Sequence, residues 1–129
     1  PTVNKTFYYA TNTNTCSSCS SSQLSDNVTL DRDEQTAAGT ETVSITAVRS
    51  GDYSYSVHDY TNGKTNNDAN STNLASSGAS VTIYYNNTVT IFNPPNTAGT
   101  HWTVFTFTTG GGIVEVGTMK HTNSEADVY

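Results

Sequence analysis

Charge is what this sequence has least of. Only 12% of its 129 residues are acidic or basic, and just five are basic. Those five (Lys5, Arg32, Arg49, Lys64 and Lys120) are scattered, and the net charge is −6. A nucleic-acid partner is therefore not expected, because nothing here builds a phosphate-tracking patch. No apolar run approaches the roughly 18 residues of a membrane span. No window of about eleven residues repeats its apolar positions at the helical period. A signal peptide is absent too, and a chain that opens at Pro1 without Met is expected to have lost its targeting segment already.

What fills the chain instead is Ser, Thr and Asn, which make up about 40% of it. Hydroxyls and amides keep it soluble in place of charges, a composition typical of secreted and cell-surface β proteins. The predicted location is extracellular. Low hydrophobicity also occurs in disordered chains, but those are charge-rich and poor in aromatics. Here eight Tyr, four Phe and one Trp sit within alternating runs, so folding is expected. The length suits one domain over residues 1–129, with polar extensions at about 1–4 and 118–129.

The most informative stretch runs over residues 30–62. It holds an acidic turn, a strand at 42–48, the turn Ser50-Gly51-Asp52 and a second strand that ends in His58-Asp59. Val43, Ile45 and Ala47 alternate with Ser44 and Thr46, and Tyr53, Tyr55 and Val57 with Ser54, Ser56 and His58, the period of half-buried strands. The turn between them predicts a hairpin. Further strands are expected at 6–9, 28–30, 79–85, 89–93, 103–107 and 113–116. Asn86-Asn87 tolerates a left-handed turn, Pro94-Pro95 ends a strand, and Gly110-Gly111-Gly112 turns the chain again. Asn62-Gly63 reads as a turn within a polar loop. About eight short strands without helices predict an all-β fold, an antiparallel β-sandwich of immunoglobulin-like architecture.

An ordered set of motifs carries a resemblance. Leu30-Asp31-Arg32-Asp33, the segment 39–45, Gly51-Asp52-Tyr53-Ser54-Tyr55 and Val57-His58-Asp59-Tyr60 are followed by Ser77-Gly78-Ala79-Ser80-Val81, Phe92-Asn93-Pro94-Pro95 and Trp102-Thr103-Val104-Phe105. Over about residues 5–118 the chain resembles an uncharacterised family of β-sandwich domains in secreted and surface proteins of microbes. The resemblance implies a compact extracellular sandwich and no activity. The family pattern opens its first strand with alternating acidic residues and has Gly-Pro-Glu before its central strand. Val3-Asn4-Lys5-Thr6 and Gly39-Thr40-Glu41 stand in those places here.

Candidate sites are few. Cys16 and Cys19 lie in a Ser/Thr/Asn loop, where a small loop-stapling disulfide suits an oxidising compartment. A zinc half-site needs further ligands, and His58, His101 and His121 are far apart in sequence at no ligand spacing. A redox Cys-x-x-Cys should open a helix, for which this loop is poor material. Asp31, Asp33 and Glu41, with Glu34 and Asp59 as neighbours, offer hard oxygen ligands for calcium; the competing view is a solvated turn balanced by Arg32. No other cofactor is expected. His58-Asp59 among many serines invites a triad, yet adjacent strand residues point to opposite faces and no nucleophile elbow is present. Trp102 is either a stacking platform for sugar rings or a core residue. Asn4, Asn27, Asn70 and Asn86 stand in N-x-S/T sequons, about as many as this composition gives by chance, and are candidate glycosylation sites.

With no catalytic constellation, the chain is expected not to be an enzyme. The function expected is a secreted structural subunit of an extracellular fibre or matrix, glycosylated and self-associating head to tail through terminal segments that dock on a neighbour. The alternative is a carbohydrate-binding or adhesion module that recognises glycans.

Overall fold

The computed structural model describes residues 3–4, 8–10, 28–30, 40, 42–45, 48, 52–108 and 110–123. Within these the protein is all-β. Its strands are β1 (Val3–Asn4), β2 (Tyr8–Ala10), β3 (Val28–Leu30), β4 (Val43–Ile45), β5 (Asp52–Asp59), β6 (Val81–Tyr85), β7 (Thr88–Phe92), β8 (His101–Thr108) and β9 (Gly112–Lys120). One helical turn, Thr61–Thr65, interrupts them. The principal sheet has the order β1-β5-β8-β9, with β2 pairing further along the same edge of β5 as β1. Two antiparallel pairs, β3–β4 and β6–β7, complete the set.

The β5–β8 pair is the spine of the sheet, and its register explains the core. Tyr53 faces Phe107, Tyr55 faces Phe105 and Val57 faces Trp102. Phe105 and Trp102 are an odd number of residues apart, so simple alternation would send them to opposite faces. A β-bulge resolves the conflict: Tyr55 and Ser56 oppose Phe105 and Thr103, leaving Val104 as the extra residue. The strand on the other side shifts register at the same place. Trp102 thus joins Phe105 and Phe107 on one face, and both Trp102 and Val104 are completely buried.

The β6–β7 hairpin lies against that apolar face. Asn86 and Asn87 form its turn with φ of 53° and 59°, the left-handed conformation that asparagine tolerates best after glycine. Phe92 stacks on Phe105 at 5.8 Å, and Tyr85 meets Phe107 edge-on at 5.0 Å. Tyr55 stacks on Phe105 at 5.3 Å beneath them. From the connection between the helical turn and β6, Leu74 enters the same cluster beside Val57, Phe92, Trp102 and Val104. Such ring pairs add about 0.5–1.5 kcal/mol each to the burial of their area.

Three expectations change. Among the described residues β4 pairs with β3, while β5 pairs with β1, β2 and β8, and no β4–β5 pairing is present. Each strand takes the partner that continues its own sheet. Strand β9 runs on to Lys120, so residues 118–120 belong to the sheet and not to a polar extension; their pairing with residues 101–103 holds them there. Asn62-Gly63 sits inside the helical turn, buried, where Asn66 N–H donates to the Thr61 carbonyl at 2.9 Å.

Leu74→Ala should therefore destabilise the protein by about 2–5 kcal/mol, the range for emptying a closed apolar site. Tyr84→Ala, on the outward side of β6 at 79% exposure, should stay within about 0.5 kcal/mol of the parent. Chemical denaturation of the two variants beside the parent measures both.

Candidate functional site: a polar row at the end of the sheet

The same bulge that brings Trp102 into the core puts His101 on the opposite face, next to His58. Asn4, His58, His101 and Lys120 stand in one row across β1, β5, β8 and β9. The two imidazoles are 6.3 Å apart, inclined at 66°, and both are buried. Among the described residues neither ring nitrogen of His101 has a hydrogen-bond partner, and neither does Trp102 Nε1. Burial in the first place, then the charge of Lys120 and then His58, lower the pKa of His101 to about 4. At neutral pH it is an uncharged ring.

Asp59, one residue on, is buried as well and serves the turn that follows. Its Oδ1 accepts from Asn62 N–H at 3.2 Å and its Oδ2 from Asn62 Nδ2 at 2.6 Å. The carboxylate thus caps the helical turn three residues ahead, the usual task of an acidic side chain where helical N–H groups lack partners. Asp59 N–H donates to the Thr100 carbonyl at 2.7 Å, tying the turn to the start of β8.

Thr100, His121 and Asn67 form a chain: Thr100 Oγ1 lies 3.2 Å from His121 Nδ1, and His121 Nε2 lies 3.0 Å from Asn67 Oδ1. A hydroxyl, an imidazole and an amide in series is the arrangement of a nucleophile, its base and an orienting group. Here the hydroxyl is sealed. Thr100 has no exposed surface; its Oγ1 donates to the Thr122 carbonyl and accepts from Thr122 N–H, both at 3.1 Å. The group is spent on fastening the end of β9 to the start of β8, and no substrate reaches it.

Gly63 forms a close wall of the cluster. A Cβ there would come within 2.6 Å of both His58 Nε2 and the Thr122 carbonyl oxygen. Only a residue without a side chain lets the turn pack onto the row.

The residues singled out in the sequence are distributed unevenly. His58 and Asp59 do lie here, fully buried, and Asp59 is engaged with Asn62. The three histidines, far apart in sequence, converge on one end of the sheet. Among the described residues no group of three or more His, Cys, Asp or Glu is placed to hold a metal ion. Cys16, Cys19, Asn27, Asp31, Asp33 and Glu41 lie outside the described residues. Asn4 is in β1; Asn70 and Asn86 are exposed. Trp102 as a sugar platform is corrected, since a ring with no exposed surface offers no face to stack on. Thr100 and Thr122 carry no sequence signal, His101 and His121 read there only as candidate metal ligands, and Asn62-Gly63 only as a turn. The available signal was Asn62-Gly63 four residues after His58, where a buried glycine marks a close approach of backbone. No family model matches this chain, and neither a curated protein nor a solved structure shows significant similarity to it.

Two outcomes follow from this geometry. Gly63→Ala should destabilise by about 1–3 kcal/mol, because one of the atoms it meets is backbone and cannot swing away; thermal or chemical denaturation reads this. For His101, the unfolded chain takes up a proton near pH 6.5 and the folded one only near pH 4. Between those values the unfolded state holds more protons, so stability falls as pH drops from 6.5 towards 4 and this contribution is flat below. Replacing His101 with Gln should reduce the pH slope of unfolding stability in that window by roughly one proton. An unchanged slope would show that the burial of this imidazole does not govern acid stability.

Proposed function

We propose that the chain is a non-enzymatic, secreted and glycosylated structural subunit of an extracellular fibre or matrix. In this view it is a β-sandwich of immunoglobulin-like architecture that assembles head to tail through its terminal segments. The observation that carries the proposal is what the buried polar groups do. Thr100, Asp59 and Asn62, which in another setting would be available for chemistry, are consumed in fixing the chain to one end of the sheet. The resemblance to secreted microbial surface domains and the hydroxyl-rich composition support the compartment.

The placement of the first and last strands supports assembly. Asn4 and Lys120 belong to one row across four strands, so β1 and β9 bring them to the same end of the sheet, about 14 Å apart at ordinary strand spacing. Strand β9, nine residues long, has no partner on its outer edge among the described residues. An open edge of that length is a template for an added strand. Residues 124–129, extended, would cover about 20 Å of it. Repetition of such a contact without closure produces a filament. The alternative, a carbohydrate-binding or adhesion module, loses its expected platform with the burial of Trp102.

The test is electron microscopy of the full chain beside versions lacking residues 124–129 or residues 1–2, which spare β9 and β1. Ordered filaments from the full chain, lost in either truncation, are expected. Filaments unchanged in both would refute docking through the termini. For glycosylation, protein secreted from a eukaryotic host should lose the mass of one glycan in Asn86→Gln, since Asn86 stands exposed on a hairpin turn.

A further inference from the structure

Among the described residues, the two most exposed large apolar side chains, Tyr84 and Ile91, lie on one small element, with Val89 and Tyr85 beside them. Along the β6–β7 hairpin the cross-strand pairs alternate: Val81 with Phe92 and Ile83 with Thr90 face the core, while Thr82 with Ile91 and Tyr84 with Val89 face outward. Tyr84 is 79% exposed, Ile91 60% and Val89 56%. The inward residues Val81, Ile83 and Phe92 pack against the core cluster, so the outward ones are presented on a firm support. Among the described residues neither strand of the hairpin has a second partner.

Natural proteins guard such strands with lysine, other charges or proline. This hairpin has none. Residues 69–100 contain no Asp, Glu, Lys, Arg or His at all, in a chain whose net charge is −6. A β-rich, uncharged segment without proline, as in Val81-Thr82-Ile83-Tyr84-Tyr85-Asn86-Asn87-Thr88-Val89-Thr90-Ile91-Phe92, has the composition that favours association between strands of different chains. The charge pattern also selects the occupant. Two copies that each carry a net charge of −6 repel each other, and least where the meeting faces hold no charge. A lipid surface would call for basic residues around the apolar patch, and a charged partner would call for opposite charge, neither of which the hairpin supplies.

We infer that the outer face of the β6–β7 hairpin is where two copies of this chain meet, Tyr84, Val89 and Ile91 of one packing on the same residues of the other. The contact is isologous and closes as a pair. It deepens the proposed function and rests on its premise of self-association: the pair is the repeating unit, and the terminal segments propagate it. The apolar side chains supply the attraction and the absence of charge removes the penalty for bringing two acidic molecules together.

The experiment is sedimentation velocity on the unglycosylated full chain over a wide concentration range, with Ile91→Lys, Ile91→Glu and, as a control on the far face of the sheet, Val114→Lys. Circular dichroism and the denaturation midpoint check that each variant is folded. The parent and Val114→Lys should associate alike, and each Ile91 variant alone should weaken association by at least about ten-fold. An equimolar mixture of Ile91→Lys with Ile91→Glu should regain it, a recovery that a misfolded hairpin would not give. If the Ile91 variants associate like the parent, the hairpin contact is wrong while the subunit proposal stands. If the parent stays monomeric at every concentration, both fall. A parent that stays monomeric but shows its tyrosine fluorescence altered by a neutral oligosaccharide, an effect lost in Tyr84→Ala, would assign the face to a saccharide and overturn the pairing.

Discussion

One extra residue in the central strand sets the arrangement of everything around it. Because Val104 is inserted between two paired stretches of β8, the parity of that strand reverses halfway along its length. On the near side Phe105 and Phe107 meet Tyr55 and Tyr53. On the far side Trp102 meets Val57, and His101 is turned towards His58. Without the bulge a one-residue slip would exchange Trp102 and His101 between the two faces. The core would then receive an imidazole, and the largest apolar side chain would leave it. Leu74 and the hairpin residue Phe92 pack on the surface that this reversal creates.

The polar end of the sheet is the other product of the same reversal. Burying an imidazole beside Lys120 and a second ring is unfavourable to its charged form, and the depressed pKa of His101 expresses that constraint. The cluster around them is held by backbone and short side chains: Thr100 on Thr122, Asp59 on Asn62, and Gly63 pressed against His58. The Thr100–Thr122 bonds and the bond from Asp59 N–H to the Thr100 carbonyl join segments distant in sequence, so the last described residues, the helical turn and the start of β8 are fastened together. A hydroxyl, an imidazole and a carboxylate are all present, yet Thr100 is bonded to His121 and the Thr122 backbone, His121 also to Asn67, and Asp59 to Asn62.

The sequence disclosed the strands well where alternation was uninterrupted. Tyr53, Tyr55 and Val57 alternate with serines, and the Asn86-Asn87 turn between two β-branched runs is legible because those residues favour the conformation they adopt. It disclosed less where tertiary pairing overrode the local pattern. Residues 118–120 look like a polar tail, but they complete β9 because residues 101–103 offer an edge. The pairing of β4 with β3 was hidden for a similar reason, since Ser50-Gly51-Asp52 reads in the sequence as a hairpin turn. The candidate site was mostly illegible. Alternation counted through residues 101–108 puts Trp102 and His101 each on the wrong face, and a bulge has no dependable local signature when its extra residue is an ordinary valine. The polar row is a consequence of register, which single residues do not announce.

The division of roles follows: one face of the sheet makes the core, one end seals the polar groups, and the hairpin turns its uncharged side outward. The core face and the polar end depend on the reversal at Val104, and the single tryptophan reports on it. Fluorescence of Trp102 in the folded protein, with acrylamide and iodide as quenchers, is the most direct measurement. The account predicts a blue-shifted emission that neither quencher reaches until the chain is unfolded. A red-shifted emission that iodide quenches freely in the native state would contradict it, because Trp102 would then lie outside the core and the register built on the bulge would be wrong.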